Sequence, residues 1–330
     1  AVYRETAKVF AYQPGKSLLV LQTFTFAPHQ NNLTQRAGYF DTANGIFLEQ
    51  AGTSTYIVKR SSSSGILTET RVAQSGWSQN TLPTLDLSKS QIFWMDIEWL
   101  GVGSVRCGFV INGQFIYCHR FDHANLITGT YMTTSCLPVR KEIFNTGATT
   151  STSTMLSICT SIVSEGGYSV YGRARCIGHD LGSPTNLLTT SPGSTPINTP
   201  VISIRLKSNR LGAIVLPTTF SMVPVTSANY KYQIYTRALT SGGTWISAAG
   251  DSAVEYNLAP TSLTTGTIAL TGFIAASNQS SSADQNTQLP FDYQLERNTF
   301  VPTSYEVCIV AAADTNNSKI YSTINWTEIT

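Results

Sequence analysis

The stretch that decides the fold runs from Ile92 to Phe121 and reads IFWMDIEWLGVGSVRCGFVINGQFIYCHRF. Asn112-Gly113 separates two runs that are rich in β-branched and aromatic residues. This is the strongest short sequence signal for a two-residue β-hairpin with a type I′ turn. Gly101-Val102-Gly103 supplies a second turn earlier in the stretch. The segment therefore predicts a three-stranded antiparallel meander.

A two-residue turn also predicts the register of the strands that flank it. For the second hairpin, the expected pairs are Ile111 with Gln114, Phe109 with Ile116, and Cys107 with Cys118. For the first hairpin, they are Glu98 with Arg106 and Ile97 with Cys107. The Cys107–Cys118 pair is close enough for a disulfide, but a bridge would add little to a hairpin that the turn already holds. We therefore expect both thiols to be reduced.

Side chains alternate between the two faces of a strand, which sorts this segment into an apolar and a mixed face. The predicted core face carries Phe93, Met95, Ile97, Cys107, Phe109, Ile111, Ile116 and Cys118. The predicted ligand or interface face carries Trp94, Asp96, Glu98, Arg106, Tyr117 and His119, together with Val110 and Phe115. On the second face, Glu98, Arg106 and His119 are expected side by side across the three strands, with Glu98 and Arg106 as a cross-strand ion pair.

The rest of the chain continues the β pattern, and helix periodicity is almost absent. The predicted strands are Ser17–Phe26, Gly45–Glu49, Thr55–Arg60, Thr70–Gln74, Ile92–Leu100, Val105–Ile111, Phe115–Phe121, Lys141–Asn145, Met155–Ser164, Tyr168–Arg175, Val201–Lys207, Gly212–Leu216, Tyr230–Ala238, Thr267–Ala275, Tyr305–Ala312 and Tyr321–Trp326. Residues 182–200 are rich in Ser, Thr, Pro and Asn, and 277–288 read as a polar loop. We predict an all-β protein with a sandwich at 1–182, a linker at 183–200 and a second, smaller sandwich at 201–330.

Composition narrows the classes of function. Charged residues make up 12% of the 330 residues, about half of the usual share, and the net charge is +2. Without clusters of Lys and Arg we expect no nucleic-acid partner, and without a long apolar run we expect no membrane insertion. The six cysteines and four histidines show no metal-ligand spacing, and no loop offers the spaced carboxylates of a calcium site. We therefore predict free thiols, no metal and no cofactor.

One short motif resembles an enzyme site. Asp96-Ile97-Glu98-Trp99-Leu100-Gly101 resembles the active-site strand of family-16 glycoside hydrolases, which are concanavalin A-like jelly rolls. That strand carries Glu, Asp and Glu on one face, with the first Glu as nucleophile and the last as acid/base. Here Trp94 stands at the nucleophile position, and retaining hydrolysis needs both carboxylates. We therefore expect no enzyme activity, and a hydrolase remains a remote alternative.

A broader resemblance runs through most of the chain. The sequence resembles virion proteins of tailed phages and other large DNA viruses, many of them from aquatic or cyanobacterial hosts. The matching stretches include Arg36–Asp41, Asn44–Glu49, Val58–Ser62, Val72–Ser75, Leu85–Lys89, Trp99–Arg106, Phe121–Asn125, Leu137–Arg140, Ser164–Tyr168 and Ile204–Lys207. The resemblance implies a virion location and a structural role as a fibre, spike, baseplate or capsid-surface protein, with a concanavalin A-like jelly roll as the first domain. It transfers no functional residues.

Two functions follow from these observations as hypotheses. The first is a virion structural protein that assembles with its own copies, as a trimer by analogy with other viral fibres, and with other virion proteins. The second is an adhesin that binds a host-surface glycan through exposed aromatic side chains such as Trp94, Phe115 and Tyr117.

Overall fold

The computed structural model describes residues 1–12, 15–167, 172–189, 195–276, 287–288, 293–298 and 303–329. The chain divides into two compact units, Ala1–Ser169 and Val170–Thr330. Every pair of neighbouring strands in the four described sheets is antiparallel. The predicted all-β class is therefore confirmed, and the sheets have the arrangement expected of β-sandwiches.

In the first unit, the described residues form eleven strands in two sheets. They are β1 (Val2–Glu5), β2 (Leu18–Thr25), β3 (Leu33–Phe40), β4 (Gly45–Ala51), β5 (Ser54–Ser61), β6 (Thr68–Ala73), β7 (Gln91–Ile97), β8 (Val105–Ile111), β9 (Gln114–Phe121), β10 (Val139–Asn145) and β11 (Leu156–Ser164). The six-stranded sheet has the order β1-β10-β3-β4-β5-β6, and the five-stranded sheet has the order β11-β2-β7-β8-β9. Side chains from both sheets form one hydrophobic core.

The predicted meander is present as β7, β8 and β9. Asn112 and Gly113 both have positive φ, 51° and 76°, as a type I′ turn requires. The predicted pairs Ile111–Gln114 and Phe109–Ile116 are confirmed. The predicted core face is also confirmed, because its members are buried in the core or pack against it.

Three predicted pairs of the meander are wrong. Strand β7 ends at Ile97, so residues 98–104 form a longer loop than expected, and Asp96, not Glu98, lies opposite Arg106. The same shift places Met95 opposite Cys107. In the second hairpin, a β-bulge puts His119 opposite Cys107, so Cys118 is the extra residue of the bulge. Cys107 and Cys118 are free thiols, as predicted.

Strand β3 is absent from the sequence-based prediction, although it lies inside the six-stranded sheet. All eight of its residues are buried, which means that both of its faces are covered. One face, with Ala37 and Tyr39, joins the core between the sheets. The other face, with Arg36 and Phe40, is covered by side chains of the neighbouring strands, and it lacks the polar alternation that marks a half-exposed strand.

The other eleven described strands belong to the second unit. They are β12 (Arg173–Gly178), β13 (Thr185–Leu187), β14 (Thr199–Leu206), β15 (Ile214–Pro224), β16 (Ala228–Ser241), β17 (Ile246–Ser247), β18 (Val254–Asn257), β19 (Ser262–Ala276), β20 (Thr287–Gln288), β21 (Glu306–Ala313) and β22 (Ser318–Ile329). One sheet has the order β12-β22-β15-β20, with β13 also paired to β22, and the other has the order β17-β18-β14-β21-β16-β19. Both sheets contribute to a second hydrophobic core.

The observed division of the chain differs from the boundary at 182 that the sequence suggested. Strands β12 and β13, which fall before and inside the predicted linker at 183–200, both pair with β22 of the second unit. The boundary between the units therefore lies before β12, because β12 and β13 pair with β22 near the end of the chain. The start of the predicted strand Tyr168–Arg175, part of the predicted linker and nearly all of the polar loop at 277–288 lie outside the described residues.

Candidate functional site

Five of the six predicted site residues lie together on the outer face of the five-stranded sheet. We call this surface the meander face and define it by Trp94, Asp96, Glu98, Arg106, Phe115 and Tyr117. Strands β7, β8 and β9 carry all of these residues except Glu98, which follows β7 directly. The twofold alternation along each strand places them on the side opposite the core.

Trp94 lies at the centre of the meander face, but it is buried. Its indole lies above Gly108, the residue opposite it on β8, and a Cβ atom at Gly108 would come within 2.8 Å of the ring. The rings of Phe115 and Tyr117 flank it at centroid distances of 5.7 and 6.1 Å. The indole Nε1 donates a hydrogen bond to the carbonyl oxygen of Phe109 at 3.3 Å. Phe115, which is 56% exposed, is therefore the aromatic ring of this group that is most open to solvent.

The charged part of the meander face is a triad around Arg106. Its guanidinium contacts Asp96 at 2.5 Å and Glu98 at 3.2 Å, so the predicted Glu98–Arg106 ion pair is present despite the shifted register. Glu98 also accepts a hydrogen bond from Ser104. Burial raises the pKa of Asp96. The positive charge of Arg106 lowers this pKa, but by less than burial raises it. Among the described residues, Asp96 Oδ1 and Arg106 Nε have no hydrogen-bond partner.

The sixth predicted residue, His119, is not part of this face. The β-bulge at Cys118 places Arg120 opposite Arg106, and Arg120 forms an ion pair with Asp122 at 2.6 Å. The buried His119 ring packs edge-on against Phe121 at 4.7 Å and accepts a hydrogen bond from the backbone N–H of Ser78. Burial lowers the pKa of His119. The predicted row of Glu98, Arg106 and His119 is therefore wrong, because one extra residue reverses the facing of the strand beyond it.

The chemistry open to the meander face is recognition of polar groups and stacking on an aromatic ring. A retaining glycosidase needs two carboxylates placed on either side of a scissile bond. Here Asp96 and Glu98 both contact one guanidinium, and the indole of Trp94 occupies the first position of the strand motif.

The outer face of the six-stranded sheet carries a second constellation, which the sequence-based prediction did not include. Four arginines and four glutamates form a connected network, which we call the arginine lattice: Arg36, Arg60, Arg71, Arg140, Glu5, Glu49, Glu69 and Glu142. Glu49 is fully buried and accepts contacts from Arg36 at 2.7 Å and Arg71 at 3.2 Å. Glu69 lies 2.8 Å from Arg60 and 2.9 Å from Arg71. Glu142 links Arg36 to Arg140, at 3.2 and 2.6 Å.

Three of the four guanidinium groups of the lattice, those of Arg36, Arg60 and Arg140, lie over aromatic rings. Arg60 lies 5.4 Å from the centroid of Phe40 and 4.9 Å from that of Phe47, and Arg36 lies 5.1 Å from Phe47. Arg140 lies over Tyr3 at 4.3 Å. Phe40 and Phe47 are fully buried although they point away from the core between the sheets. Cation–π contacts and the aliphatic stems of the arginines account for this burial.

A sequence signal for the lattice does exist. Arg140 and Glu142 alternate along β10, and Glu69 and Arg71 alternate along β6, so that opposite charges recur at the strand period on one face. Such a pattern predicts lateral ion pairs once the neighbouring strands are known. Because β3 was missing from the predicted strands, Arg36 had no place in such a network.

The buried His123 side chain forms a pair with the partly buried Lys59. Its Nδ1 contacts the carbonyl oxygen of Gly103 at 2.7 Å, and its Nε2 lies 3.0 Å from Lys59 Nζ. Burial lowers the pKa of His123, which favours the neutral ring with its proton on Nδ1. The ring stacks on Tyr131 at 3.9 Å. Its two nitrogens are both occupied by protein groups, as for a packing histidine.

Within the described residues, no group of three or more His, Cys, Asp or Glu side chains could hold a metal ion. No helix in that part of the chain has the length and hydropathy to cross a bilayer. No protein-family model and no curated protein matches this sequence.

Proposed function

We propose that this chain is a non-enzymatic structural component of a virus particle, and that it works by assembly with its own copies and with other virion proteins. The proposal rests on the resemblance to virion proteins that the stretches from Arg36–Asp41 to Ile204–Lys207 suggest. The all-β architecture of both units is compatible with the fibres, spikes and capsid-surface proteins that the resemblance implies. In detail, the first unit is proposed to be a concanavalin A-like jelly roll.

Two edge strands support assembly as the mode of action. Strand β11 ends the five-stranded sheet, and it exposes Leu156, Ile158 and Val163. Strand β19 ends a sheet of the second unit, and it exposes Ile268 and Phe273. Within the described part of the chain, neither strand has a second neighbour. An edge strand with exposed apolar side chains readily pairs with another chain, so a partner that covers it is expected.

The arginine lattice favours the same interpretation over catalysis. Its guanidinium and carboxylate groups neutralise each other and are largely buried. The carboxylates of the meander face contact Arg106 in the same way. Charged groups that are paired within the protein stabilise a rigid surface and leave little for acid/base work.

Mass spectrometry of purified particles tests the virion assignment. We expect the chain at a stoichiometry of many copies per particle, because a structural role needs repeated copies. Its absence from purified particles, together with its presence as a free protein in the medium, would overturn the proposal.

Sedimentation velocity tests assembly. The wild-type chain is expected to sediment as a closed oligomer, which we propose to be a trimer. Val163→Lys places a charge on the exposed side of β11 and is expected to shift the protein toward monomers, if β11 is the contact. Thr68→Lys, on the edge strand β6 of the other sheet, is the matched control. A monomeric wild type at all concentrations would count against self-assembly.

A second candidate function, glycan binding, is favoured by Phe115. An exposed ring beside the triad of Asp96, Arg106 and Glu98 combines a stacking surface with hydrogen-bonding groups. A glycan array with the wild type and Phe115→Ala tests it, with Leu67→Ala as a control for a similarly exposed apolar side chain elsewhere. Binding that is lost only in Phe115→Ala supports a glycan site, and no binding by the wild type excludes it.

A further inference from the structure

In the described part of the first unit, Lys141 is the one buried Lys or Arg side chain that has no carboxylate partner. Its side chain projects from β10 toward the core side of the sheet, opposite to the lattice, and the residue is 7% exposed. Among the described residues, its Nζ atom makes one hydrogen bond, to Thr160 Oγ1 at a long 3.4 Å, and no ion pair. The neighbouring Arg140, by contrast, contacts both Glu5 and Glu142. A buried ammonium without an anion is unfavourable, so this site calls for a partner.

A second cation faces Lys141 across the strand pair. Arg4 lies directly opposite it in the β1–β10 ladder and has no ion-pair partner among the described residues. Like charges that oppose each other directly destabilise a sheet. Burial, and then the charge of Arg4, lowers the pKa of Lys141 to about 8. An anion between the two side chains would relieve both effects.

The space for such an anion is present. A cleft of about 320 Å³ lies between β1 and β10 of one sheet and β11 of the other, and Arg4, Lys141, Ser157, Cys159 and Thr160 contribute to its lining. Glu5 is the carboxylate residue of this lining, and its Oε2 contacts Arg140 at 2.7 Å. The cleft therefore combines two cations with three hydroxyl-bearing residues, Thr6, Ser157 and Thr160, and its own carboxylate is bound to Arg140.

We propose that this cleft binds an anion with a carboxylate or phosphate group, which Lys141 and Arg4 hold from two sides while Thr160 donates a hydrogen bond. The volume is at the lower end of the range for ligand sites, roughly 300–1,000 Å³, and it fits a small anion or one acidic group of a larger ligand. This inference does not depend on the proposed virion role, because it rests on the geometry of the first unit alone.

Isothermal titration calorimetry with inorganic phosphate tests the site, at constant ionic strength maintained with chloride. The wild type is expected to show saturable binding of one phosphate per chain. Arg4→Gln and Lys141→Met are each expected to weaken it at least tenfold. Arg4 is exposed, so its variant remains informative even if Lys141→Met fails to fold. Lys89→Gln, which removes an exposed positive charge far from the cleft in sequence, is the matched control and is expected to bind like the wild type.

Two results would overturn the site. One is the absence of saturable phosphate binding by the wild type. The other is equal weakening in Lys89→Gln and Arg4→Gln, since a general response to net charge affects both variants alike.

The natural source of the anion is distinguished by sedimentation velocity with and without saturating phosphate. If phosphate binds and the sedimentation coefficient is unchanged, the ligand is a diffusible anion. If phosphate binds and the oligomer dissociates, the cleft holds an acidic side chain of a neighbouring copy. The site itself stands in both cases, and failure of the virion test leaves it unaffected.

Discussion

The arginine lattice and the meander face are built from the same residue types, but one is closed and the other is open. In the lattice, Arg36 and Arg140 each contact two or more glutamates and lie over aromatic rings. On the meander face, Arg106 also has two carboxylates, yet its side chain remains 40% exposed and no ring lies beneath it in a cation–π contact among the described residues. Cation–π contacts with aromatic rings, in addition to ion pairing, therefore distinguish the buried arginines of the lattice from Arg106 on the surface.

The difference has an energetic meaning. Exposed ion pairs contribute about 0–1 kcal/mol, because water screens them and side-chain entropy opposes them. Breaking a buried pair by removing one partner costs more, about 3–5 kcal/mol, because the remaining charge stays buried. A Glu→Gln substitution can therefore be compared in the buried arginine lattice and on the exposed meander face of the same unit.

Removal of a lattice carboxylate is expected to have the largest effect. Glu49→Gln leaves Arg71 with Glu69 alone and Arg36 with its weaker contacts to Glu142 and Glu69. We expect a loss of about 3 kcal/mol in the free energy of unfolding, measured by urea denaturation. A loss below about 1 kcal/mol would show that the lattice behaves like an exposed network.

The packing of the meander face is expected to be the next most sensitive feature. Gly108→Ala places a methyl group against the indole of Trp94 and the carbonyl oxygen of Ile116. We expect a destabilisation of about 2 kcal/mol, typical of overpacking, and a change in tryptophan fluorescence as the indole moves. Gly129→Ala, where a Cβ atom would meet no neighbour within 4 Å, is the control. Equal stability of the two variants would contradict the packing described for Trp94.

The two faces should also respond to acid with opposite sign. Burial alone raises the pKa of Glu69, but the hydrogen bond from Arg60 and the charges of Arg36, Arg60 and Arg71 hold it below the ordinary value of 4.5. Its contribution to stability is therefore present above pH 4.5 and is lost as the pH falls through the folded-state pKa. The raised pKa of Asp96 acts oppositely, since ionisation of Asp96 reduces stability as the pH rises from 3.8 through its folded-state value.

Unfolding free energies between pH 3 and pH 7 measure this contrast. Glu69→Gln is expected to flatten the loss of stability on acidification, whereas Asp96→Asn is expected to steepen it. The same slope in both variants and in the wild type would refute the assigned pKa directions.

The smallest effect is expected at the edge of the meander face. Glu98 has a half-exposed side chain, and Arg106 keeps Asp96 when Glu98 is changed. Glu98→Gln should therefore alter the free energy of unfolding by less than about 0.5 kcal/mol. It is also the exposed counterpart of Glu49→Gln, and a similar loss in both would remove the distinction between the two faces.

Much of the fold was predictable where local chemistry decides. The all-β class, the Asn112-Gly113 turn and the core face of the meander follow from turn geometry and the alternation of side chains. The ends of β8 agree with the sequence pattern, because both of its flanking turns contain glycine. The sequence predicted which residues share the meander face, since five of the six predicted site residues lie on it. It predicted only some of the contacts among them.

The tertiary structure alone decided the rest. The bulge at Cys118 shifts the register by one residue, so that His119 points to the opposite side of the sheet from the predicted one. The long loop after Ile97 places Asp96, and not Glu98, opposite Arg106. The local sequence contains no signal for either change. Strand β3 is stable because Glu49 and Glu142 come to Arg36 from neighbouring strands. A sequence determines which side chains share the face of a strand, whereas pairing across the sheets determines whether a charged side chain on that face can be buried.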